Sequence, residues 1–210
     1  MCNKANSENS PVRDWSDFSY DDLPSPLRVA RDLFARHGYH GTSIRAIAEG
    51  TGLSVPGLYH HYPSKQAILA QLVESAITQM LRHTRAADAA SDGRASSRFD
   101  NVVTCMLLFH LQRRDEAFIA SSEMRSMEAA VRLAHVALRD EQQTMLREII
   151  EQGMAEGEFD CKYPADAARA VSSLCVSVAH WYRPGGPLPA SKVAARYLYF
   201  AKRMISVRPR

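Results

Sequence analysis

Residues 42–65, TSIRAIAEGTGLSVPGLYHHYPSK, are the most informative stretch of the chain. Thr42 or Ser43 can cap a helix that carries Ile44, Ile47 and Ala48 on one face. A tight turn through Thr51, Gly52 and Leu53 leads to Ser54, which can cap a second short helix ending near His61. Pro56 is tolerated in that helix's first turn, because the N–H it lacks would have had no partner there. Two short helices joined by a glycine-containing turn make a helix-turn-helix, whose second helix enters the major groove of DNA. The same spacing also fits a helical hairpin whose turn is merely structural, so the stretch alone leaves both readings open.

Away from this stretch the hydrophobic spacing stays helical. Leu27, Ala30, Leu33 and Phe34 follow a three-and-four rhythm, as do Ile68, Leu69, Leu72, Val73, Ala76, Ile77, Met80 and Leu81. It returns at Met145 to Met154, Ala168 to Trp181 and Tyr197 to Ile205, and no period-two alternation bounded by hairpin turns competes with it. The chain therefore reads as all-α, with about nine helices. Pro24 and Pro26 precede the first helix, Gly38 ends it, Gly50 and Gly52 end the second, and Pro63 stops the third. Ser64 can cap a long fourth helix running to about Arg85, and the Ala-, Ser-, Asp- and Gly-rich stretch Ala87 to Ser97 is the best interhelical loop. The expected division is an N-terminal arm over 1–23, a three-helix reader with the start of the connecting helix over 24–86, and a helical domain over 87–210.

The chain has 210 residues, 46% hydrophobic and 23% charged, which is ordinary for a globular protein with a sizeable core. Its longest nearly unbroken apolar run, Val102 to Phe109, is far below the roughly 18 residues of a membrane span. The N-terminus lacks the apolar core of a signal peptide. A soluble, cytoplasmic protein with no membrane partner is expected. Cys2, Cys105, Cys161 and Cys175 have gaps of 103, 56 and 14 residues, which offer neither a CxxC pair nor zinc spacing, so no metal is expected. The net charge of +3 hides an uneven distribution: −3 over residues 1–24, +4 over 25–86 and +2 over 87–210. The middle segment also holds five of the eight histidines, and a compact basic module is the usual footprint of a nucleic-acid partner. No nucleophile elbow, glycine-rich phosphate loop or HExxH motif points to an enzyme, and His110, His135 and His180 read as satisfied, partly buried or surface residues.

The run Phe34, Gly38, Tyr39, Thr42, Ser43, Ile44, Ile47, Ala48, Gly52, Leu53, Ser54, Gly57, Leu58, Tyr59, Tyr62, Lys65 and Leu69 closely resembles the signature of the TetR family of bacterial transcriptional regulators. The resemblance implies a homodimer with an N-terminal helix-turn-helix that binds double-stranded operator DNA. It also implies a helical C-terminal domain that binds a small molecule and dimerises through its last two helices. Carried over by position, Thr42, Ser43, Ser54, Tyr59, His61 and Lys65 would contact phosphate, whereas Arg45, Val55, Pro56, Gly57 and His60 would face or approach bases. Val55 and Pro56 cannot donate to base edges, so readout would lean on thymine methyls, on Arg45 and His60, and on DNA shape. One departure stands out: Asp14 to Asp22 holds four aspartates among Trp15, Phe18 and Tyr20. Phosphate should repel such an arm, which either packs on the protein or, as its composition favours, stays disordered.

The C-terminal block is less specific. Val102 to Phe109 is apolar on every face and should be deeply buried. Met106, Phe109, Phe118, Met124 and Met127, with His110, Cys175 and Trp181, are candidates to line a ligand cavity, although the same residues suit an ordinary core. The turn Trp181 to Leu188, WYRPGGPL, resembles that of TetR-family regulators of lipid and sterol breakdown, several of which respond to acyl-CoA thioesters. The resemblance thus implies a repressor released by a small hydrophobic or acyl-CoA-type effector, with no other cofactor. An activator, a regulator that needs ligand to bind DNA, and a ligand-binding dimer that has lost DNA binding are the alternatives.

Overall fold

The computed structural model describes Val12 and residues 14–206. Among the described residues the chain forms nine α-helices, one 3-10 turn at Glu123–Arg125 and no strand. The helices are α1 (Ser25–Gly41), α2 (Ile44–Thr51), α3 (Val55–His61), α4 (Lys65–Ala89), α5 (Ala95–Gln112), α6 (Arg114–Ser122), α7 (Ala129–Ala155), α8 (Pro164–Trp181) and α9 (Ala190–Met204). Local punctuation works as its chemistry demands. Gly38 breaks α1 with φ 71°, a value that suits a residue without Cβ. Ser64 accepts the N–H of Ala67 at 3.0 Å and so caps α4. That helix runs one turn further than expected, leaving a loop of only 90–94 before α5.

Two apolar cores share α4. Its first half gives Ile68, Leu69, Leu72 and Val73 to a core with Leu27, Phe34, Ile47 and Leu58. Its second half gives Ala76, Ile77, Met80 and Leu81 to a larger core built around α5. Helix α5 packs against α4, α6, α7, α8 and α9, which explains why its stretch from Val102 to Phe109 carries no polar face. Helix α6 crosses the divide. Ile119 joins the smaller core while Ala117 joins the larger one.

Residues 14–23 correct the expectation of a disordered arm; residues 1–11 and 13 lie outside the described residues. Phe18 is only 2% exposed and packs against His83 of α4 at 4.4 Å and Phe109 of α5 at 5.4 Å between ring centroids. The carbonyl of Trp15 lies 3.2 Å from His83 Nδ1, and Arg113 donates to the carbonyl of Tyr20 at 2.8 Å. Asp21 lies 2.7 Å from Arg31, which also reaches Glu116 at 3.0 Å, while Arg113 reaches Glu116 at 3.2 Å. Aromatic burial, Arg31 of α1 and Arg113 between α5 and α6 thus hold an arm whose local composition suggests disorder.

The hairpin that follows α7 shows how tightly the larger core is packed. Phe159 folds back onto Gly153, donating its N–H to the Gly153 carbonyl at 3.0 Å, and stacks edge-on against Phe99. A Cβ at Gly153 would overlap the Phe159 ring. Gly153→Ala is expected to destabilise the protein by about 1–2 kcal/mol, because overlap with three ring atoms puts the overpacking cost at roughly 2–3 kcal/mol and helix propensity returns about 1. A urea midpoint at or above that of the parent would contradict this packing.

Candidate nucleic-acid interface and ligand cavity

Helices α2 and α3 form the helix-turn-helix. Ser43 Oγ accepts the N–H of Ala46 at 3.1 Å and caps α2, and Gly52 ends it in the left-handed region with φ 71° and ψ 13°. Ser54 Oγ accepts the N–H of Gly57 at 3.1 Å and caps α3, with Pro56 in the first turn. Ile47, Ala48 and Leu58 are fully buried beneath the pair, which fixes which side of α3 faces outward. That side presents Ser54, Pro56, Tyr59, His60 and His61, all exposed, with Val55 and Gly57 half-buried beside them. Ser43 and Arg45 of α2 are exposed as well, and Arg45 pairs with Glu49 at 2.9 Å. Both cap serines use an oxygen lone pair internally, so each hydroxyl proton is left to donate outward.

Two of the expected contact residues sit differently. Thr42 is buried, and its hydroxyl donates to the Gly38 carbonyl at 2.9 Å; it closes the end of α1 and is not on the exposed face. Lys65 Nζ donates to the carbonyls of Tyr39 and Thr42, each at 2.8 Å, and lies 4.2 Å from the Tyr39 ring centroid. Its charge satisfies carbonyls left open where α1 ends. Phosphate contact would fall to the ammonium's third N–H.

In the larger domain a cavity of about 270 Å³ lies between α4, α5, α6, α7 and α8, and is lined by Ala76, Ile77, Met80, Phe109, His110, Ala117, Ala120, Ser121, His135, Arg139 and Val176. Phe109 and His110 were legible as lining residues. The other six candidates lie elsewhere. Met106 and Cys175 are core side chains behind the wall, and Met124 and Met127 pack with the smaller core. Phe118 stacks against His180 at 5.5 Å, and Trp181 is 46% exposed. Sequence reasoning missed His135 and Arg139, although their spacing of four puts both on one face of α7.

Burial pushes His110 down to about 4, with Arg139 and His180 adding to the effect and a hydrogen bond to the Met106 carbonyl opposing it. Burial, then Arg139, likewise pushes His135 down to about 4. Both rings are therefore neutral at pH 7. An unfolded histidine takes its proton near pH 6.5, so the unfolded state binds more protons between that value and about 4, and folding stability must fall as pH falls through this window. His110 alone is expected to remove about 2–3 kcal/mol between pH 7 and 4.5, and His110→Gln should remove its share of that loss. A urea midpoint unchanged across the window, or a His110→Gln profile as steep as the parent's, would contradict the assignment.

Residues 27–72 match the model of the Bacterial regulatory proteins, tetR family. Residues 92–205, more than half of the chain, match that of the Tetracyclin repressor-like, C-terminal domain. The chain belongs to the TetR family. It is a transcriptional regulator and not an enzyme.

The HTH-type transcriptional repressor KstR2 of Mycobacterium tuberculosis is 27% identical over 175 residues, covering 82% of this TetR-family chain and 86% of that protein. A bacterial regulatory protein in the tetR family from Rhodococcus RHA1 superposes with a TM-score of 0.83 at 28% identity, covering 88% of this chain and 97% of the other. AibR, solved in complex with isovaleryl coenzyme A and operator DNA, shares the fold with a TM-score of 0.77 at 19% identity, covering 87% and 97%. The TetR-family fold here also presents an apolar surface: Trp181, Tyr199, Phe200 and Met204 of α8 and α9 are exposed, with Tyr197 stacked between Trp181 and Phe200 at 5.7 and 6.1 Å. Among the described residues no helix is long and apolar enough to cross a membrane.

Proposed function

We propose that this TetR-family regulator is a homodimeric repressor, released from a palindromic operator when a small apolar or acyl-CoA-type effector occupies the cavity. The observation that carries the DNA half is the outward side of α3, where a capped helix N-terminus, the Ser54 hydroxyl, Tyr59, His60 and His61 are exposed, with Ser43 and Arg45 of α2 exposed as well. Hydroxyls and helix N-termini suit phosphate oxygens. Ser43, Ser54, Tyr59, His61 and Lys65 fill that role. Arg45, Val55, Pro56, Gly57 and His60 meet the bases. The exposed Arg45–Glu49 pair is worth little in water, so Arg45 exchanges it readily for a base.

The repressor sense and the effector type draw on relatives: KstR2 is named a repressor, and AibR was solved with isovaleryl coenzyme A and operator DNA. Pairing of α8 and α9 with a second copy covers the exposed aromatic strip, since large apolar patches rimmed by polar residues mark interaction sites. Two recognition helices must then meet major-groove faces about 34–36 Å apart, or multiples of a helical turn. Helix α6 supplies the coupling. It lines the cavity with Ala117, Ala120 and Ser121, touches the reader core with Ile119 and holds Arg31 of α1 through Glu116. An effector that prefers a splayed dimer shifts the population away from the DNA-competent spacing. Near-complete switching needs about 5.5 kcal/mol of differential affinity.

Base readout by α2 and α3 is tested by competition binding over a library of operator variants. Arg45→Ala and His60→Ala are expected to relax preference at particular base pairs by about 1–3 kcal/mol while other positions keep theirs. A uniform loss across all sequences would reassign both residues to phosphate contact. Light scattering on the eluting protein tests the dimer, and a monomer at micromolar concentration would count against it.

A further inference from the structure

The cavity has a fixed hydrogen-bond polarity. His110 Nδ1 lies 2.7 Å from the Met106 carbonyl oxygen, which can only accept, so Nδ1 carries the ring's proton and Nε2 keeps a lone pair. Ser121 spends its hydroxyl proton on the Phe118 carbonyl at 2.9 Å, which leaves its oxygen as an acceptor as well. Two lining groups on different helices, α5 and α6, therefore both offer lone pairs. His135 is 6% exposed, lines the same space and has no hydrogen-bond partner for Nδ1. Buried polar atoms without partners are costly, and a bound molecule would supply one. Arg139, the charged residue of the lining, is exposed and can only donate. The other lining side chains are apolar.

Resting on the reading of this cavity as the effector site, we infer that the effector is a hydroxylated apolar carboxylic acid or its thioester. Its hydroxyl donates to His110 Nε2, with Ser121 Oγ as a second acceptor. Its hydrocarbon body lies against Ile77, Met80 and Phe109, and its carboxylate or thioester carbonyl faces Arg139. The volume of about 270 Å³ sits below the roughly 300–1,000 Å³ of typical ligand pockets. It accommodates a ring or a short chain but not coenzyme A, whose nucleotide part would remain outside.

Calorimetric titration of the full-length protein with matched probes tests this. The probes are cyclohexanecarboxylate and its 3- and 4-hydroxy derivatives, each as the free acid and as the coenzyme A thioester. At least one hydroxylated member is expected to bind about tenfold more tightly than its parent, and the tighter carrier distinguishes free acid from thioester. His110→Phe should cut that preference to below about threefold, whatever it does to the affinity for the parent compound. Arg139→Gln should weaken both members of an acid pair alike. Equal or weaker binding of the hydroxylated probes to the parent protein overturns the inference without need of any variant, as does a preference that survives both His110→Phe and Ser121→Ala. Ala120→Phe, which fills the cavity, separates the two levels. If it abolishes binding but no hydroxyl preference exists, only the ligand class fails. If binding is unaffected by it, the effector-site reading fails too.

Discussion

Arg31→Met is expected to destabilise the protein by about 3 kcal/mol, the lower end of the usual cost of removing one partner from a buried ion pair, because Glu116 is buried whereas Asp21 and Asp32 keep access to water. Arg31 lies between Asp21 of the arm, Asp32 and Glu116, at 2.7, 3.0 and 3.0 Å. Glu116 and Arg113 are 5% and 5–6% exposed, so little water can replace the lost charge. In the variant, Asp21 and Glu116 would share Arg113 alone. The measurement is a urea titration of parent and variant, and a loss below about 1 kcal/mol would show the cluster to be solvated. The charge-balanced double variant Arg31→Met with Glu116→Met should recover much of the loss, because apolar replacement of a whole buried pair is often neutral. The same cluster joins the arm, α1 and α6, so Arg31→Met should also weaken the response of DNA binding to effector.

The second large effect lies in function and leaves stability alone. Gly57 sits three residues after the cap Ser54, and a Cβ there would meet only Ser54 Oγ at 3.2 Å and Leu53 Cβ at 4.0 Å. Gly57→Glu therefore fits once the Ser54 hydroxyl gives way by a few tenths of an ångström. It also completes a capping box, in which the glutamate reaches back to the N–H of residue 54. Thermal stability should stay equal or rise. DNA affinity should fall at least about 100-fold, because a carboxylate on the face that meets phosphate costs several kcal/mol. Parallel melting and anisotropy titrations separate the two quantities. A stable variant that still binds operator normally would remove α3 from the interface.

What could be read from the sequence follows the range of the interactions concerned. The caps Ser43, Ser54 and Ser64 and the left-handed Gly52 are decided within three or four residues, and each appears where the pattern places it. The buried α5 is legible because a helix packed by neighbours on all sides has no room for a polar stripe. The arm was misread because its order comes from Arg31, Glu116 and Arg113, and Arg113 is 93 residues from the Tyr20 carbonyl it holds. The two carbonyl bonds of Lys65 are hidden for the same reason, since its ammonium reaches back 26 residues to the carbonyl of Tyr39. The cavity was legible only in part. Methionine and phenylalanine mark apolar interior without saying which core they enter, and Met127 turned toward the reader. His135 and Arg139 carry the better signal, a histidine and an arginine at a spacing of four on a helix whose buried apolar side chains begin only at Leu146.

The central claim, that α2 and α3 form a DNA reader answering to the cavity, is tested most directly by anisotropy titration against palindromic DNA from beside the protein's own gene. A scrambled duplex serves as competitor, across a salt series. The expected result is a saturable complex of one dimer per palindrome that survives the competitor, weakens steeply as salt rises and dissociates when a cavity ligand is added. Equal affinity for palindrome and scrambled duplex at every salt concentration would contradict it.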